Sequence, residues 1–125
     1  MGRMATILIV EDERSLNEAY QMILGQAGHD IHAAYDGTEA LTITEKVEPD
    51  LILLDLRMPK MGGVSFLKEY DLKKHSKVKV VIFSNLDTQR EIDEAYKLGA
   101  HKYMLKAWAS PKELVQLVDN LLKEK

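Results

Sequence analysis

Short apolar runs alternate with segments of helical periodicity five times along the chain. The apolar runs predict strands at residues 6–10, 30–34, 51–55, 78–83 and 102–106. Because four consecutive aliphatic side chains suit a strand buried on both faces, these runs favour a parallel sheet covered by helices on both sides. The alternation predicts an α/β fold of five strand–helix units, a doubly wound three-layer sandwich with strand order 2-1-3-4-5.

The helical segments carry both periodicity and end signals. The third and fourth helices are predicted at residues 64–73 and 88–98, and the second is predicted to stop before Pro49. Asp36 and Ser110 are predicted N-caps, each followed three residues later by a glutamate. The first and last helices show apolar stripes at spacings of three and four, formed by Leu16, Ala19, Tyr20, Ile23, Leu24 and Ala27, and by Leu114, Leu117, Val118, Leu121 and Leu122.

Length and composition favour one soluble domain spanning residues 1–125, with residues 1–4 expected to be disordered or left over from cloning. The net charge of −3 argues against general affinity for nucleic acid. The chain has no cysteine, which excludes disulfides, thiolate metal sites and cysteine nucleophiles. No apolar stretch approaches the length of a membrane span, and we predict a cytoplasmic protein. The four histidines are dispersed, and we assign them no role.

Charged and hydroxyl side chains follow the apolar runs at the end where parallel strands deliver functional groups. Glu11 and Asp12 follow the first run, and Asp55 closes the third. In the predicted order, strands 1 and 3 are neighbours at the point where the winding reverses, so these acids meet at the carboxyl edge. Strands 4 and 5 bring Ser84 and Lys106 to the same edge. The sequence therefore predicts a pocket of several carboxylates, a hydroxyl and an amine.

Four stretches in this order resemble the receiver domain of two-component response regulators, the CheY-like domains with a flavodoxin-like fold. They are IVEDE at residues 9–13, DGTEAL at 36–41, DLILLDLRMP at 50–59 and GAHKYMLK at 99–106. The resemblance covers almost the whole chain. It implies a signalling switch rather than an enzyme in the usual sense, with these roles: phospho-acceptor, Asp55; metal ligands, Glu11, Asp12, Asp55 and the backbone carbonyl of Arg57; phosphoryl-contacting and switch residues, Ser84, Lys106 and Tyr103.

The implied roles agree with the chemistry of the residues. Carboxylates about 4 Å apart repel by roughly 4 kcal/mol per pair at an effective dielectric near 20, so the cluster needs a cation. Mg²⁺ or Mn²⁺ suits an all-oxygen site that also takes phosphate oxygens. Asp55 would act as nucleophile, while the metal and Lys106 offset charge on the transferred group. Ser84 would then move inward, and Tyr103 would turn into the vacated space.

The chain departs from the family pattern at two positions. Ala107 replaces the usual proline after the strand 5 lysine, and because a cis bond before alanine costs about 3 kcal/mol we predict a trans peptide. Glu11 replaces the more usual aspartate, which is expected to alter metal affinity without removing the site. Arg57 and Leu86 occupy positions that tune phosphate hydrolysis in this family, and a bulky pair would lengthen the signal. Trp108 either contacts a partner or covers the core edge.

Other interpretations stay open. The first acids also suit a helix N-terminus, Ser84 suits a turn, and Tyr103 suits plain packing. A receiver that binds partners without being phosphorylated is the main alternative. A flavodoxin-type cofactor site is disfavoured because the acids after strand 1 would repel phosphate. Aspartate-nucleophile phosphatases are disfavoured because Arg57 stands where they place a second aspartate.

The resemblance also implies partners. The expected phosphoryl donor is a sensor histidine kinase or a phosphotransfer protein. The expected receiver of the signal is a downstream protein or an output domain outside this sequence, reached through the surface of helix 4, strand 5 and helix 5. The same surface allows a homodimer. No direct contact of this domain with nucleic acid or membrane is expected.

Overall fold

The structure of the protein, a computed structural model, describes residues 4–85, 89–108 and 110–124, with the backbone alone at Trp108. The strands are β1 (Thr6–Val10), β2 (Asp30–Ala34), β3 (Leu51–Leu54), β4 (Lys79–Ser84) and β5 (Lys102–Leu105). The helices are α1 (Arg14–Gln26), α2 (Gly37–Lys46), α3 (Gly63–Tyr70), α4 (Gln89–Lys97) and α5 (Pro111–Lys123). The strands form one parallel sheet in the order β2-β1-β3-β4-β5, which confirms the predicted fold class.

Two hydrophobic clusters lie on opposite faces of the sheet. In β3, Ile52 and Leu54 belong to the cluster under α2, α3 and α4, whereas Leu51 and Leu53 belong to the cluster under α1 and α5. All four side chains are at most 2% exposed, because alternate residues of a strand point to opposite faces and both faces are covered. Full burial of such a side chain contributes roughly 1.5–3 kcal/mol, so this strand anchors both clusters.

The helices are short and amphipathic. In α5 the predicted stripe is confirmed, with four of its members buried and Leu117 partly buried. In α1, Tyr20 and Leu24 are buried, but Ala19 is exposed, and Ala27 is exposed just beyond the helix end, so the predicted stripe was too wide. The longest of these helices has 13 residues. Within the described ranges, no helix has the length and apolar character needed to cross a lipid bilayer.

Both predicted N-caps are confirmed. The Asp36 carboxylate accepts a hydrogen bond from the backbone N–H of Glu39 at 2.9 Å, and the Ser110 hydroxyl accepts one from the backbone N–H of Glu113 at 3.2 Å. In addition, the Glu39 carboxylate accepts from the backbone N–H of Tyr35 at 2.8 Å. The two N-cap bonds satisfy N–H groups that the first turn of a helix cannot pair internally.

The prediction for the third helix was wrong at its C-terminal end. The α-helix stops at Tyr70, because Asp71 adopts the left-handed conformation with φ of 59°. A 3-10 turn, Leu72–His75, follows, and the Asp71 carboxylate accepts from the backbone N–H of Lys73 at 3.2 Å. Asp71 therefore ends one helix and caps the next turn, a local side-chain effect that apolar periodicity does not register.

Smaller differences occur at β3, β4 and β5, and β3 ends at Leu54 rather than Asp55. The β4 strand runs one residue later at each end than predicted, and β5 ends at Leu105 rather than Lys106. Lys106 instead begins a 3-10 turn, Lys106–Trp108, and the peptide between Lys106 and Ala107 is trans as predicted. The side chain of Trp108, and Leu86, lie outside the described part of the chain.

Two histidines bind backbone N–H groups at the amino edge of the sheet, one just before β1 and one in β4, opposite the ends of β1 and β3 that carry the acids. Nδ1 of His29 accepts from the backbone N–H of Ala5 at 3.1 Å, and Nδ1 of His101 accepts from that of Val80 at 3.0 Å. An Nδ1 that accepts a hydrogen bond carries no proton, so the His101 ring is neutral in this arrangement. The histidines therefore have a structural role that the sequence did not indicate.

We expect His101 to make the stability of the domain pH-dependent. Burial and the nearby Lys79 ammonium lower the pKa of His101 below its ordinary value of 6.5, and Glu124 opposes them. The unfolded chain therefore binds the proton more readily, and the stability that neutral His101 adds is present above pH 6.5 and lost as pH falls through the folded pKa. The expected result is that His101→Ala lowers the melting temperature clearly at about pH 8 and by progressively less as the pH falls below 6.5.

His32→Ala is the matched control. The His32 ring lies 3.4 Å from Asp30 at the protein surface and accepts no strand N–H in the described contacts. Because no strand N–H of the described residues depends on the His32 ring, we expect His32→Ala to change the melting temperature little. Melting temperatures are measured by circular dichroism. If the loss of melting temperature became smaller in acid to the same extent for both variants, the role given to His101 would be contradicted.

Candidate functional site

The register of the sheet brings four strand ends to one edge. Val10 pairs with Leu54, Leu54 with Ile82, and Ser84 with Leu105. The backbone N–H of Asp55 donates to the carbonyl of Val10 at 3.0 Å, which extends the β1–β3 pairing by one bond. The residues that follow β1, β3 and β5, together with the last residue of β4, therefore lie side by side.

Asp55 is the centre of this edge. It is 6% exposed, and both of its carboxylate oxygens are engaged. Oδ1 accepts from the Ser84 hydroxyl at 2.8 Å and from the backbone N–H of Arg57 at 3.4 Å. Oδ2 accepts from Nζ of Lys106 at 3.0 Å. The carboxylate is thus held by a hydroxyl, a backbone amide and an ammonium group.

Lys106 bridges two buried carboxylates. Its Nζ forms ion pairs with Oδ2 of Asp55 and with Oε1 of Glu11, and its side chain is 10% exposed. Burial alone would lower the pKa of Lys106, but the hydrogen bonds to Glu11 and Asp55 outweigh it and raise the pKa above 10.5. The lysine is therefore a fixed positive charge at neutral pH.

Glu11 is 3% exposed and fixed at both oxygens. Besides the Oε1 contact with Lys106, Oε2 accepts from the backbone N–H of Glu13 at 3.0 Å. Burial raises the pKa of Glu11 above 4.5, an effect that the hydrogen bonds from Lys106 and Glu13 oppose and the charge of Asp55 reinforces. The residue that replaces the family's usual aspartate thus reaches the lysine.

Three carboxylates converge closely enough to hold a metal ion. Glu11, Asp12 and Asp55 each offer an oxygen, and these oxygens lie within 4.8 Å of one another. Glu11 and Asp55 are buried, whereas Asp12 is exposed at the mouth of the pocket. An all-carboxylate donor set with one open side fits a hard divalent cation that retains water. The structure thus brings together the three acids named from the sequence.

The other predicted site residues lie around this centre. Tyr103 is partly buried on β5 and packs against the cluster under α2, α3 and α4. The side chain of Arg57 points to α4, where it pairs with Glu91 at 3.0 Å. The metal-binding role of the Arg57 carbonyl and the switch role of Tyr103 stay predictions.

Sequence reasoning missed Asn17. This residue is fully buried in α1, and its amide nitrogen donates to the backbone carbonyl of Glu11 at 3.0 Å. A signal was present, because Asn17 stands three residues before Tyr20 and seven before Leu24 on the buried side of the helix. A polar residue on such a stripe indicates a buried hydrogen-bonding role.

The chain matches a known protein family and several known proteins. The response regulator receiver domain model matches residues 7–119. The chain is 35% identical over 117 residues to a probable transcriptional regulator ycf27 of Porphyridium aerugineum, covering 94% of this chain and 48% of that protein. It is 36% identical over 112 residues to the DNA-binding response regulator MtrA of Mycobacterium tuberculosis, covering 90% and 48%.

Solved structures agree. The receiver domain of the Francisella response regulator 1452 superposes with a TM-score of 0.81 at 31% identity, over 95% of this chain and 97% of that one. The chain belongs to the response regulator receiver domain family of two-component systems. It spans about half the length of the curated relatives it matches.

Proposed function

We propose that this domain accepts a phosphoryl group on Asp55 in a reaction that requires Mg²⁺ or Mn²⁺, and that the modified domain signals through a changed surface. The observation that carries the proposal is the setting of the Asp55 carboxylate. It is buried between the Ser84 hydroxyl and the Lys106 ammonium, with two further acids within 4.8 Å. An aspartate that only forms a turn or caps a helix does not require a buried carboxylate held by both a hydroxyl and an ammonium group.

The metal would be held by the carboxylates of Glu11, Asp12 and Asp55, with the backbone carbonyl of Arg57 as a further ligand. When bound, a divalent cation neutralises charge on the acids and on the incoming phosphoryl oxygens. Lys106 supplies a second fixed cation that already contacts Asp55 at 3.0 Å. With a metal held by the acids and Lys106 at the same carboxylate, two cations would offset the charge of the transferred group.

The transfer itself needs little from the protein beyond position and charge. A carboxylate oxygen of Asp55 forms a bond to phosphorus while the bond from phosphorus to the donor nitrogen of a phosphohistidine breaks. The electron pair of the broken bond stays on the imidazole. No proton has to be removed from Asp55, because the carboxylate is the nucleophilic form. The donor would belong to a histidine kinase or a phosphotransfer protein.

The switch would begin at Ser84. Its hydroxyl now donates to Oδ1 of Asp55, the group that phosphorylation modifies. Phosphoryl oxygens are stronger acceptors, so the hydroxyl would turn to them, and Tyr103 would move into the space between β4 and α4. The surface of α4, β5 and α5 would then bind a downstream protein, a second copy of the domain or an output domain. Since one relative is named as DNA-binding, a DNA-binding output is one candidate.

Phosphorylation by acetyl phosphate with Mg²⁺, followed by intact-mass measurement, tests the proposal. We expect the wild type to gain the mass of one phosphoryl group and Asp55→Asn to gain none. Asp50→Asn is the matched control, because Asp50 accepts from the backbone N–H of Thr6 at the opposite edge of the sheet. It should be modified like the wild type.

A wild type that is never modified would instead support the phosphorylation-independent receiver that binds partners in one state. The switch has its own test, the binding of a phosphoryl analogue with Mg²⁺ followed by amide chemical shifts. Unchanged shifts around Ser84 and Tyr103 would rule out the switch while leaving the transfer chemistry standing.

A further inference from the structure

Asn17 is a buried polar side chain near the acids that makes three hydrogen bonds. It is 0% exposed, and its amide nitrogen donates to the carbonyls of Glu11 and Ala34, both at 3.0 Å. Its amide oxygen accepts from Nε2 of Gln21 at 2.9 Å. The Gln21 contact fixes the orientation of the amide, because it leaves the nitrogen side toward the two carbonyls.

These two carbonyls mark the point where the chain leaves the sheet. The pairing of β1 and β2 ends at Val10 and Ala34, and the backbone N–H of Glu11 adds one last bond to the carbonyl of Ala34 at 3.1 Å. Beyond it, the Glu11 carbonyl meets the amide of Asn17 instead of another strand. The side chain therefore joins the ends of two strands to the first turns of α1.

The segment that Asn17 holds is the one that carries two of the three clustered acids. Glu13, the N-cap of α1, makes no side-chain capping bond, and its carbonyl accepts from the backbone N–H of Asn17 at 2.9 Å. Asn17 thus donates to the carbonyls at both ends of the turn from Glu11 to Glu13, with its side chain at Glu11 and its backbone N–H at Glu13. Repulsion among the acids acts to open this turn, and these bonds oppose it.

We propose that Asn17 is a positioning residue for the metal site, one that holds Glu11 and Asp12 at the spacing a divalent cation requires. The proposal rests on the metal-dependent function proposed above. Asn17 touches neither the metal nor the phosphoryl group, and it acts through the backbone of the residues that do. Buried residues that orient metal ligands typically alter metal affinity by roughly 10- to 100-fold when replaced.

The test is the Mg²⁺ affinity of the full chain, measured by titration calorimetry at a temperature where every variant is folded. Asn17→Leu keeps the approximate size of the side chain and removes both donors, and we expect Mg²⁺ binding to weaken by roughly 10-fold or more. Asn17→Ser, which adds no apolar bulk, should weaken binding in the same direction. It keeps the test available if the leucine variant does not fold.

Asp50→Ala is the control for general destabilisation. It removes a backbone hydrogen bond at the opposite edge of the sheet, and it should lower the melting temperature without changing Mg²⁺ affinity. A second readout is the amide chemical shifts of Glu11, Asp12 and Glu13 without metal. They should change in the Asn17 variants and not in Asp50→Ala.

The outcomes separate this inference from the proposed function. If the wild type binds Mg²⁺ and both Asn17 variants bind it within about twofold, the positioning role is overturned and the metal site stands. If Asp50→Ala weakens Mg²⁺ as much as the Asn17 variants do, the effect is general and the role is again overturned. A wild type that binds no Mg²⁺ overturns both.

Discussion

Lys106→Met is expected to destabilise the domain by roughly 3 kcal/mol when no divalent ion is present, because two buried carboxylates lose the cation between them. If Mg²⁺ binds these acids as proposed, saturating Mg²⁺ should restore most of this loss, because the metal then neutralises the two carboxylates. At 100 times its dissociation constant, a ligand adds about 2.7 kcal/mol to stability. Urea unfolding with and without Mg²⁺ measures both effects.

Lys68→Met provides the comparison for this result. Lys68 pairs with Glu94 at 3.1 Å, but the two side chains are 57% and 41% exposed. Such a surface pair contributes about 0–1 kcal/mol, and its loss should not respond to Mg²⁺. The prediction fails if Lys106→Met lowers the free energy of unfolding no more than Lys68→Met does, and if Mg²⁺ stabilises it no more than the wild type. The ammonium would then not be the counterion of the acids.

Gly63→Ala is expected to damage both stability and phosphorylation. A Cβ at this position would lie 2.6 Å from the backbone carbonyl of Asp55 and 2.9 Å from Cδ2 of Leu56. The first neighbour is backbone and cannot move aside without shifting Asp55. Overpacking of this kind costs about 1–3 kcal/mol, and the displaced carboxylate should slow phosphorylation by acetyl phosphate. Urea unfolding and intact-mass kinetics give the two measurements.

Gly25→Ala is the matched substitution for that experiment. Its Cβ would meet only Cγ1 of Ile31, at 3.9 Å, an ordinary contact. Because Gly25 lies within α1, alanine should stabilise the domain by about 0.5–1 kcal/mol and leave phosphorylation unchanged. Should Gly63→Ala prove as stable and as readily phosphorylated as Gly25→Ala, the close approach at Asp55 would have no consequence.

The architecture could be predicted from the sequence, because aliphatic runs that end in acids indicate strands buried on both faces of a parallel sheet. The convergence of Asp12, Asp55 and Lys106 followed from strand order alone. The left-handed Asp71 was missed because one side chain and one φ angle end that helix, whereas the apolar pattern continues past it. Element types were therefore easier to predict than element ends.

The finer connections of the site depend on distances that no linear pattern encodes. The contact between Glu11 and Lys106 joins residues 95 positions apart in the sequence. Asn17 and His101 act through backbone groups, whose positions depend on the completed fold. Such contacts are specified jointly by several elements and by no single motif.

The order of the strands leaves β2 and β5 with one unpaired side each, which is a risk for aggregation. Both edge strands are short, at five and four residues, and each begins with an exposed charged residue, Asp30 and Lys102. Charges and short length at an edge discourage a second chain from extending the sheet. Any self-association through β5 would therefore rely on side-chain contacts rather than on strand addition, and the domain should resist fibril growth.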